Sequence, residues 1–319
     1  MIKFGKSIKT TAANRSDAMD IRNHFKIGAG SKKICSRVIF KKIFQFFIVI
    51  LCVTQFSLAQ AQEITEENYL KVNSAIWAEF NQEVDKLSEY FQKHPEKTDS
   101  ILAVYEELED IANKKSAEVL IKYVSVFDVP SFLVRLYRLR LYAPKDAIRS
   151  VLKTIPDNMQ SLPYAKSLLY HVETEQIMEE SKYFDFQATD TEGRNFTLST
   201  LEGKNILLFY GGLHCMREEG RDDLNKIYNV TSRENFEIVV FCDVSSDLES
   251  LQQERTKYHQ SLPFDYFLVS DYLLDHSLMK ILYGAQATPT CFLINPKGLV
   301  IMKTKGLYYE QVLQLLNEQ

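Results

Sequence analysis

The stretch LLFYGGLHCMREEG, residues 207–220, decides the fold of the region around it. Its first half, preceded by Asn205 and Ile206, is a continuous apolar run, which is typical of a buried central strand. Two glycines follow, and the charged segment at 217–235 predicts a helix, with Cys215 at its start. We therefore expect this cysteine at the end of a buried strand and at the start of a helix.

The segments on both sides of this strand predict an α/β fold, with a mixed sheet flanked by helices. Residues 184–205 indicate two short alternating strands about the turn signal Glu192–Gly193, and residues 236–244 indicate a second buried strand. A helix is expected within 247–260. The series ends with a strand at TPTCFLIN (288–295), a turn at Asn295–Gly298 and a second strand at GLVIMKTKG (298–306). A final helix is expected at YYEQVLQLLNE (308–318).

Residues 62–181 predict a helical region ahead of the sheet. One helix carries apolar residues at spacings of three and four, namely Ile76, Phe80, Val84, Leu87 and Phe91. Prolines separate the later apolar-periodic stretches, at Pro130, Pro144, Pro156 and Pro163. His94 and His171 are isolated here, and we interpret both as surface histidines or as histidines satisfied by local hydrogen bonds.

The first 61 residues have the composition of a basic leader followed by a secretory signal. Residues 1–42 contain eleven Lys or Arg against two Asp, and residues 43–61 contain no charged side chain. Small residues at Ala59 and Ala61, after the apolar run, predict cleavage there and export to the periplasm or cell envelope. A retained amino-terminal membrane anchor is the alternative, because the basic flank would orient it the same way.

Length and charge limit the remaining possibilities. The 319 residues suffice for two domains, and the predicted division is the leader and signal at 1–61, the helical region at 62–181 and an α/β domain at 182–319. The net charge is −4 although the leader is strongly basic, so the rest of the chain is acidic, which argues against nucleic acid as a partner.

Two phrases in the last domain carry a resemblance to a known family. The matching residues are Phe184, Asp185, Phe186, Leu198–Ser199 and Gly203–Lys204 in the first phrase, and Tyr283, Pro289, Thr290, Phe292–Asn295 and Gly298 in the second. With these residues the stretch resembles the TlpA/ResA-like thiol-disulfide oxidoreductases, a thioredoxin-like family in the AhpC/TSA group. The helical region ahead of it is similar to that of such proteins from Bacteroidota-type cell envelopes. The resemblance implies a thioredoxin-like fold in which Pro289, after Thr288, is cis and faces Cys215.

The chain departs from the family at the active site. The family carries Trp-Cys-x-x-Cys, whereas residues 214–218 read His-Cys-Met-Arg-Glu. Counting from the preceding Gly-Lys aligns Cys215 with the first cysteine and Glu218 with the second. Counting back from the following helix places Arg217 or Glu218 at the second position. Neither alignment recovers a second cysteine, so the CxxC motif is degenerate.

A single thiol at this position limits the chemistry. A thiolate can attack a disulfide, but a second thiol is needed to resolve the mixed disulfide internally. As the candidate nucleophile, Cys215 would be favoured as a thiolate at a helix start, with added positive potential from His214 and Arg217. Glu218 and Glu219 would oppose that effect, and Glu218 could instead relay a proton.

Three functional hypotheses follow. The first is thiol-disulfide exchange or redox homeostasis in the cell envelope through Cys215 alone, with protein or peptide thiols and disulfides as partners and an external thiol as reductant. The alternative is a catalytically inactive thioredoxin-fold module that binds peptides or acts as a scaffold. A one-cysteine peroxidase ranks lower, because residues 211–214 lack the Pro and Thr that peroxiredoxins place there. No cofactor and no metal site is predicted, and the membrane is a partner only if the leader is retained.

The cysteines also have a structural interpretation. Cys215 can be a small apolar residue at the end of a strand. Cys242 and Cys291 lie within apolar strands and are interpreted as buried structural thiols. Since Cys35 and Cys52 fall in the leader and signal, three cysteines remain, and at least one is unpaired within the monomer. A Cys215–Cys291 bridge is left open.

Overall fold

Contacts divide the chain into two units, residues 1–128 and 129–319. The computed structural model describes residues 63–94, 98–216 and 218–318. The predicted leader, signal and cleavage site lie outside these residues, as does the alternative anchor. Of the helices that are described, none combines the length and apolar character needed to cross a membrane. The domain boundary at 182 stays a prediction.

The first unit contains two long helices, α1 (Glu66–Lys93) and α2 (Thr98–Lys122). Thr65 caps α1, since its hydroxyl accepts a hydrogen bond from the backbone N–H of Asn68 at 3.2 Å. The predicted apolar stripe is buried at its centre: Phe80 and Val84 pack with Tyr105 and Ala112 of α2. The pair of helices is stabilised by this shared apolar seam.

The second unit begins with three helices, α3 (Val129–Arg138), α4 (Lys145–Leu152) and α5 (Pro163–Glu173). A proline stands near the start of each one. Pro130 lies in the first turn of α3, Pro144 is the N-cap of α4, and Pro163 occupies the first turn of α5. Proline has no backbone N–H to donate, so the first turn of a helix accommodates it without loss.

A seven-stranded sheet of order β2-β1-β5-β4-β3-β6-β7 follows. Its strands are β1 (Gln187–Asp190), β2 (Asn195–Thr197), β3 (Asn205–Tyr210), β4 (Phe236–Phe241), β5 (Phe267–Ser270), β6 (Thr290–Ile294) and β7 (Val300–Lys305). β3 runs parallel to β4 and antiparallel to β6, and β4 runs parallel to β5. The sheet is therefore mixed, which confirms the predicted fold class.

Helices flank this sheet, namely α6 (Glu218–Val230), α7 (Leu248–Tyr258), α8 (Leu278–Leu282) and α9 (Tyr309–Asn317). Both faces of β3 are covered. Leu207 and Phe209 belong to one apolar cluster, and Ile206, Leu208 and Tyr210 belong to the cluster on the other face. Because side chains alternate between faces, a strand buried on both sides is a continuous apolar run, as residues 205–210 are.

The two predicted turns join antiparallel strands. Gly193 lies between β1 and β2, and Gly298 lies between β6 and β7, each with a φ of 77°. The Asn295 side chain accepts hydrogen bonds from the N–H groups of Lys297 and Leu299, both at 3.0 Å. Glycine adopts a positive φ without steric cost, and Asn favours such turns through its side-chain oxygen.

Candidate functional site

The loop after β3 lies against the segment that precedes β6. Tyr210 at the end of β3 pairs with Thr290, and the Thr288–Pro289 peptide bond just before it is cis. A Cβ atom added to Gly211 would lie 2.9 Å from the Cβ atom of Thr288. A side chain at residue 211 would therefore collide with Thr288. The loop after β3 and the segment before β6 lie next to each other at the same edge of the sheet.

The prediction that a helix begins at Cys215 is wrong. Cys215 ends a short 3₁₀ turn, Leu213–Cys215, and α6 begins at Glu218. Met216 between them is extended, and its side chain is buried in the same apolar cluster as Leu213. Core packing of Met216 therefore interrupts the helical path. Cys215 is not part of the helix, so its environment must be judged from its side-chain contacts.

Cys215, His214 and Glu254 form a chain of three hydrogen-bonding groups. The Sγ atom of Cys215 lies 3.2 Å from Nε2 of His214, and Nδ1 of His214 lies 3.2 Å from Oε1 of Glu254. The same Oε1 accepts hydrogen bonds from the backbone N–H groups of Leu213 at 3.0 Å and His214 at 2.9 Å. Glu254, on α7, thus fixes both the ring and the backbone of the loop that carries the half-buried thiol.

Hydrogen bonds in this chain favour the ionised forms of His214 and Glu254. Hydrogen bonds to Cys215 and then to Glu254 raise the pKa of His214 to about 10. Burial alone would raise the pKa of Glu254, but hydrogen bonds from His214 outweigh burial, and its pKa lies below the ordinary value. The imidazolium is therefore favoured at neutral pH and is lost only as the pH rises through about 10.

Gly212 provides the space for the imidazole ring. Its φ of 71° and ψ of 178° fall in a region that is nearly exclusive to glycine. A Cβ atom at this position would lie 2.9 Å from Nδ1 of His214 and 3.2 Å from Sγ of Cys242. Both its backbone conformation and its lack of a side chain are thus needed for the position of His214.

Asp243 is a further member of the site. It follows β4, whose carboxyl end neighbours that of β3, and one donor atom each from His214, Cys215 and Asp243 lie within 4.8 Å of one another. Burial raises the pKa of Asp243, and its Oδ1 atom is buried with no hydrogen-bond partner among the described residues. The carboxyl ends of adjacent parallel strands lie at one edge of the sheet. The position of Asp243 at the end of a predicted buried strand could therefore have indicated that it lies near Cys215.

Of the residues that the structure describes, the remaining predicted site residues do not join the hydrogen-bonded chain above. Glu218 is exposed at the start of α6, and Arg217 lies outside the described residues. The contact between Pro289 and Cys215 stays a prediction. The structure has Cys215, Cys242 and Cys291 as free thiols. Burial raises the pKa of the Cys242 and Cys291 thiols, as expected for structural cysteines.

Comparison with known proteins relates part of the chain to a thiol-disulfide oxidoreductase. No family profile matches the chain. The thiol-disulfide oxidoreductase ResA of Halalkalibacterium halodurans is 27% identical over 132 residues, which cover 41% of this chain and 70% of that protein.

Solved structures with similar folds include a thiol-disulfide oxidoreductase from Bacteroides fragilis, 18% identical, which covers 43% of this chain and 98% of its own with a TM-score of 0.38. The thioredoxin domain of a thiol-disulfide oxidoreductase from Bacteroides vulgatus is 19% identical and covers 44% of this chain and all of its own, with a TM-score of 0.37. The mixed sheet, the cis-proline loop and the match to ResA agree with the family resemblance found in the sequence. Part of this chain, 132 residues, is therefore similar in sequence to the thiol-disulfide oxidoreductase ResA.

Proposed function

We propose that this chain is an exported thioredoxin-fold protein that carries out thiol-disulfide exchange in the cell envelope through Cys215 alone. The observation that carries the proposal is the hydrogen-bonded chain from the Cys215 thiol through His214 to Glu254. An imidazolium held beside a sulfur favours the thiolate, which is the attacking form. The similarity to ResA supports the reaction class, and the basic leader with its apolar run supports export.

The reaction proceeds in steps that use one protein thiol. The Cys215 thiolate attacks one sulfur of a substrate disulfide, a new S–S bond forms, and the other substrate sulfur leaves as a thiolate that takes a proton from His214 or water. An external thiolate then attacks the Cys215 sulfur and releases the substrate as a dithiol. A second external thiol restores free Cys215. Overall, two external thiols are oxidised to a disulfide, and one substrate disulfide is reduced.

Alkylation and trapping test this proposal. We expect iodoacetamide to label Cys215 of the folded protein, while Cys242 and Cys291 stay unlabelled because they are buried. With an aromatic disulfide reagent, Cys215 should be the one cysteine of residues 62–319 that forms a mixed disulfide, and glutathione should release it. The Cys215→Ser variant should form none within residues 62–319. Mass spectrometry of the labelled peptides identifies the site.

The same labelling experiments can also contradict the proposal. If Cys215 is labelled only after denaturation, and the folded protein forms no mixed disulfide, then thiol exchange is excluded. The peptide-binding hypothesis then stands, because a thioredoxin-type groove pairs with an extended backbone and needs no cysteine.

A further inference from the structure

We propose that His214, Cys215 and Asp243 form a zinc-binding site, with Glu254 as the outer carboxylate that orients the histidine. The three donor atoms come from the loops after two adjacent parallel strands, β3 and β4. This site requires a thiolate at Cys215 and a neutral imidazole at His214, so zinc displaces the proton on Nε2, but the site does not depend on disulfide exchange. It would add metal binding to the same sulfur.

The donor set suits zinc better than the other common cations. Zn²⁺ binds Cys sulfur, His nitrogen and Asp oxygen, whereas Ca²⁺ and Mg²⁺ prefer oxygen donors alone. In a tetrahedral zinc site, bonds of about 2.0 to 2.3 Å leave the ligand atoms about 3.5 Å apart. Sγ of Cys215 and Nε2 of His214 are already 3.2 Å apart, and one ligand atom from each of the three residues lies within 4.8 Å of the other two. Movements of about 1 Å or less would therefore close the three residues onto an ion.

Glu254 occupies the position of an outer-sphere ligand. Histidines that bind zinc usually donate the N–H of the second ring nitrogen to a carboxylate, which fixes the tautomer and the ring orientation. Here Nδ1 of His214 meets Oε1 of Glu254 at 3.2 Å, and Nε2 is turned toward the sulfur. Since the backbone N–H groups of Leu213 and His214 also bind Oε1, the carboxylate is held in place before any ion arrives.

Asp243 supplies an independent indication of a ligand. Its Oδ1 atom is buried and has no hydrogen-bond partner in the described part of the chain. An unsatisfied buried oxygen is costly, and a cation would satisfy it. The backbone beside it is fixed, because the N–H of Cys242 donates to Val269 at 2.8 Å and the Ser270 hydroxyl donates to the Cys242 carbonyl at 2.9 Å.

Three protein ligands leave the fourth zinc position open to water or to a substrate thiol. A zinc ion bound in this way would hold the Cys215 sulfur and block its reaction with disulfides. Zinc would then act as a reversible inhibitor of the proposed exchange reaction.

Metal titration of the tag-free full-length chain with Cys35 and Cys52 replaced by serine, reduced with a phosphine, tests the site. We expect one zinc per chain in competition with a chromophoric chelator, and protection of Cys215 from iodoacetamide that EDTA reverses. Asp243→Asn should weaken zinc binding at least about tenfold, and Glu254→Gln should weaken it about 10- to 100-fold. Asp265→Asn is the matched control, because this exposed residue precedes β5 at the opposite edge of the sheet.

Two spectroscopic measurements on the wild-type chain do not depend on any variant folding. Cobalt(II) should give a thiolate charge-transfer band that Cys215→Ser abolishes. Zinc X-ray absorption should show one sulfur ligand together with nitrogen or oxygen ligands.

The proposal is overturned if the wild-type chain binds no stoichiometric zinc, if zinc leaves Cys215 alkylation unchanged, or if Asp243→Asn binds zinc as tightly as Asp265→Asn. These results are distinguishable from failure of the exchange reaction. Metal-free Asp243→Asn should still form the Cys215 mixed disulfide. A protein that exchanges disulfides but binds no zinc would retain the first proposal and exclude the second.

Discussion

At the scale of single residues, the environment of Cys215 is set by its sequence neighbour and by a distant carboxylate. Nε2 of His214 faces the sulfur, and Nδ1 on the other side of the ring meets Oε1 of Glu254. The Glu254 side chain is 11% exposed, which limits screening of this interaction by water. A hydrogen bond to a charged partner is stronger than one between neutral groups. Glu254 therefore acts on the sulfur indirectly, as a positioning residue.

We predict that Glu254→Gln slows alkylation of Cys215 about tenfold at neutral pH, which is the effect on a rate of losing one charge-assisted hydrogen bond worth about 1.4 kcal/mol. Glutamine keeps the shape of the side chain but removes the negative charge that stabilises the imidazolium. The thiolate then loses its positive partner. The rate of iodoacetamide alkylation, measured as a function of pH on the metal-free protein, reports this change.

Glu249→Gln is the control for this prediction, because Glu249 is exposed in the first turn of the same helix. It should leave the alkylation rate unchanged. Equal rates for Glu254→Gln and the wild type across the whole pH range would show that the carboxylate does not influence the sulfur.

At the scale of structural elements, local patterns explain what the sequence could and could not predict. The run Asn205–Tyr210 predicted a central strand because burial on both faces leaves an uninterrupted apolar signal. β5 (Phe267–Ser270) was not predicted, because no hairpin turn signal joins this short strand to a neighbour as Glu192–Gly193 joins β1 and β2. The helix start at Cys215 was predicted wrongly, because the extended conformation of Met216 depends on packing that local sequence does not reveal.

Local sequence also predicted only part of the candidate site. His214 and Cys215 are adjacent in sequence and were identified from the family position. Glu254 lies forty residues away from His214, within a helix of many charged residues, and no local pattern separates it from the exposed glutamates. Its role depends on the placement of α7 beside the loop after β3, which only the three-dimensional structure gives.

We predict that Gly212→Ala destabilises the protein by about 1 to 3 kcal/mol, because alanine disfavours the backbone conformation at this position. The added Cβ would also displace the His214 ring, from which it would be only 2.9 Å away. Alkylation of Cys215 should therefore slow as well. Urea unfolding measures the first effect, and iodoacetamide labelling of the folded protein measures the second.

Gly203→Ala separates these two effects. Gly203 has a φ of 87°, but an added Cβ would meet no atom within 4 Å. This variant should lose stability through its backbone alone and should label at the wild-type rate. If Gly212→Ala also labels at the wild-type rate, then the space beside the imidazole has no role in thiol reactivity.

At the scale of the whole molecule, polar contacts join the helices of the second unit to the segment that leads to Pro289. The buried Arg140 binds the Gln286 side chain and also donates to the Lys280 carbonyl at 3.2 Å. On α5, the Ser167 hydroxyl lies 3.0 Å from Nδ1 of His276. These contacts span more than a hundred residues of sequence, so no local pattern could predict them. All of them lie within the second unit, which contains helices α3 to α5 together with the sheet.

His171, on α5, makes the stability of this unit sensitive to mild acid. The side chain is 2% exposed, and its Nδ1 atom has no hydrogen-bond partner among the residues that the structure describes. Burial, and then the positive charges of Arg140 and Lys145, lower the pKa of His171 from 6.5 to about 4. The folded protein thus keeps this ring neutral where the unfolded chain would protonate it.

We predict that stability falls between pH 6.5 and about 4, the window set by the two pKa values of His171. Over this range the unfolded state binds one more proton, so stability rises with pH, and the contribution of His171 is on the order of 3 kcal/mol at most. His171→Gln should flatten the pH dependence of the urea unfolding midpoint in this window. His259→Gln, exposed at the end of α7, should leave the profile unchanged. Parallel profiles for the wild type and His171→Gln would show that the ring keeps the same protonation equilibrium in the folded and unfolded states, and acid sensitivity would then have to arise from other groups.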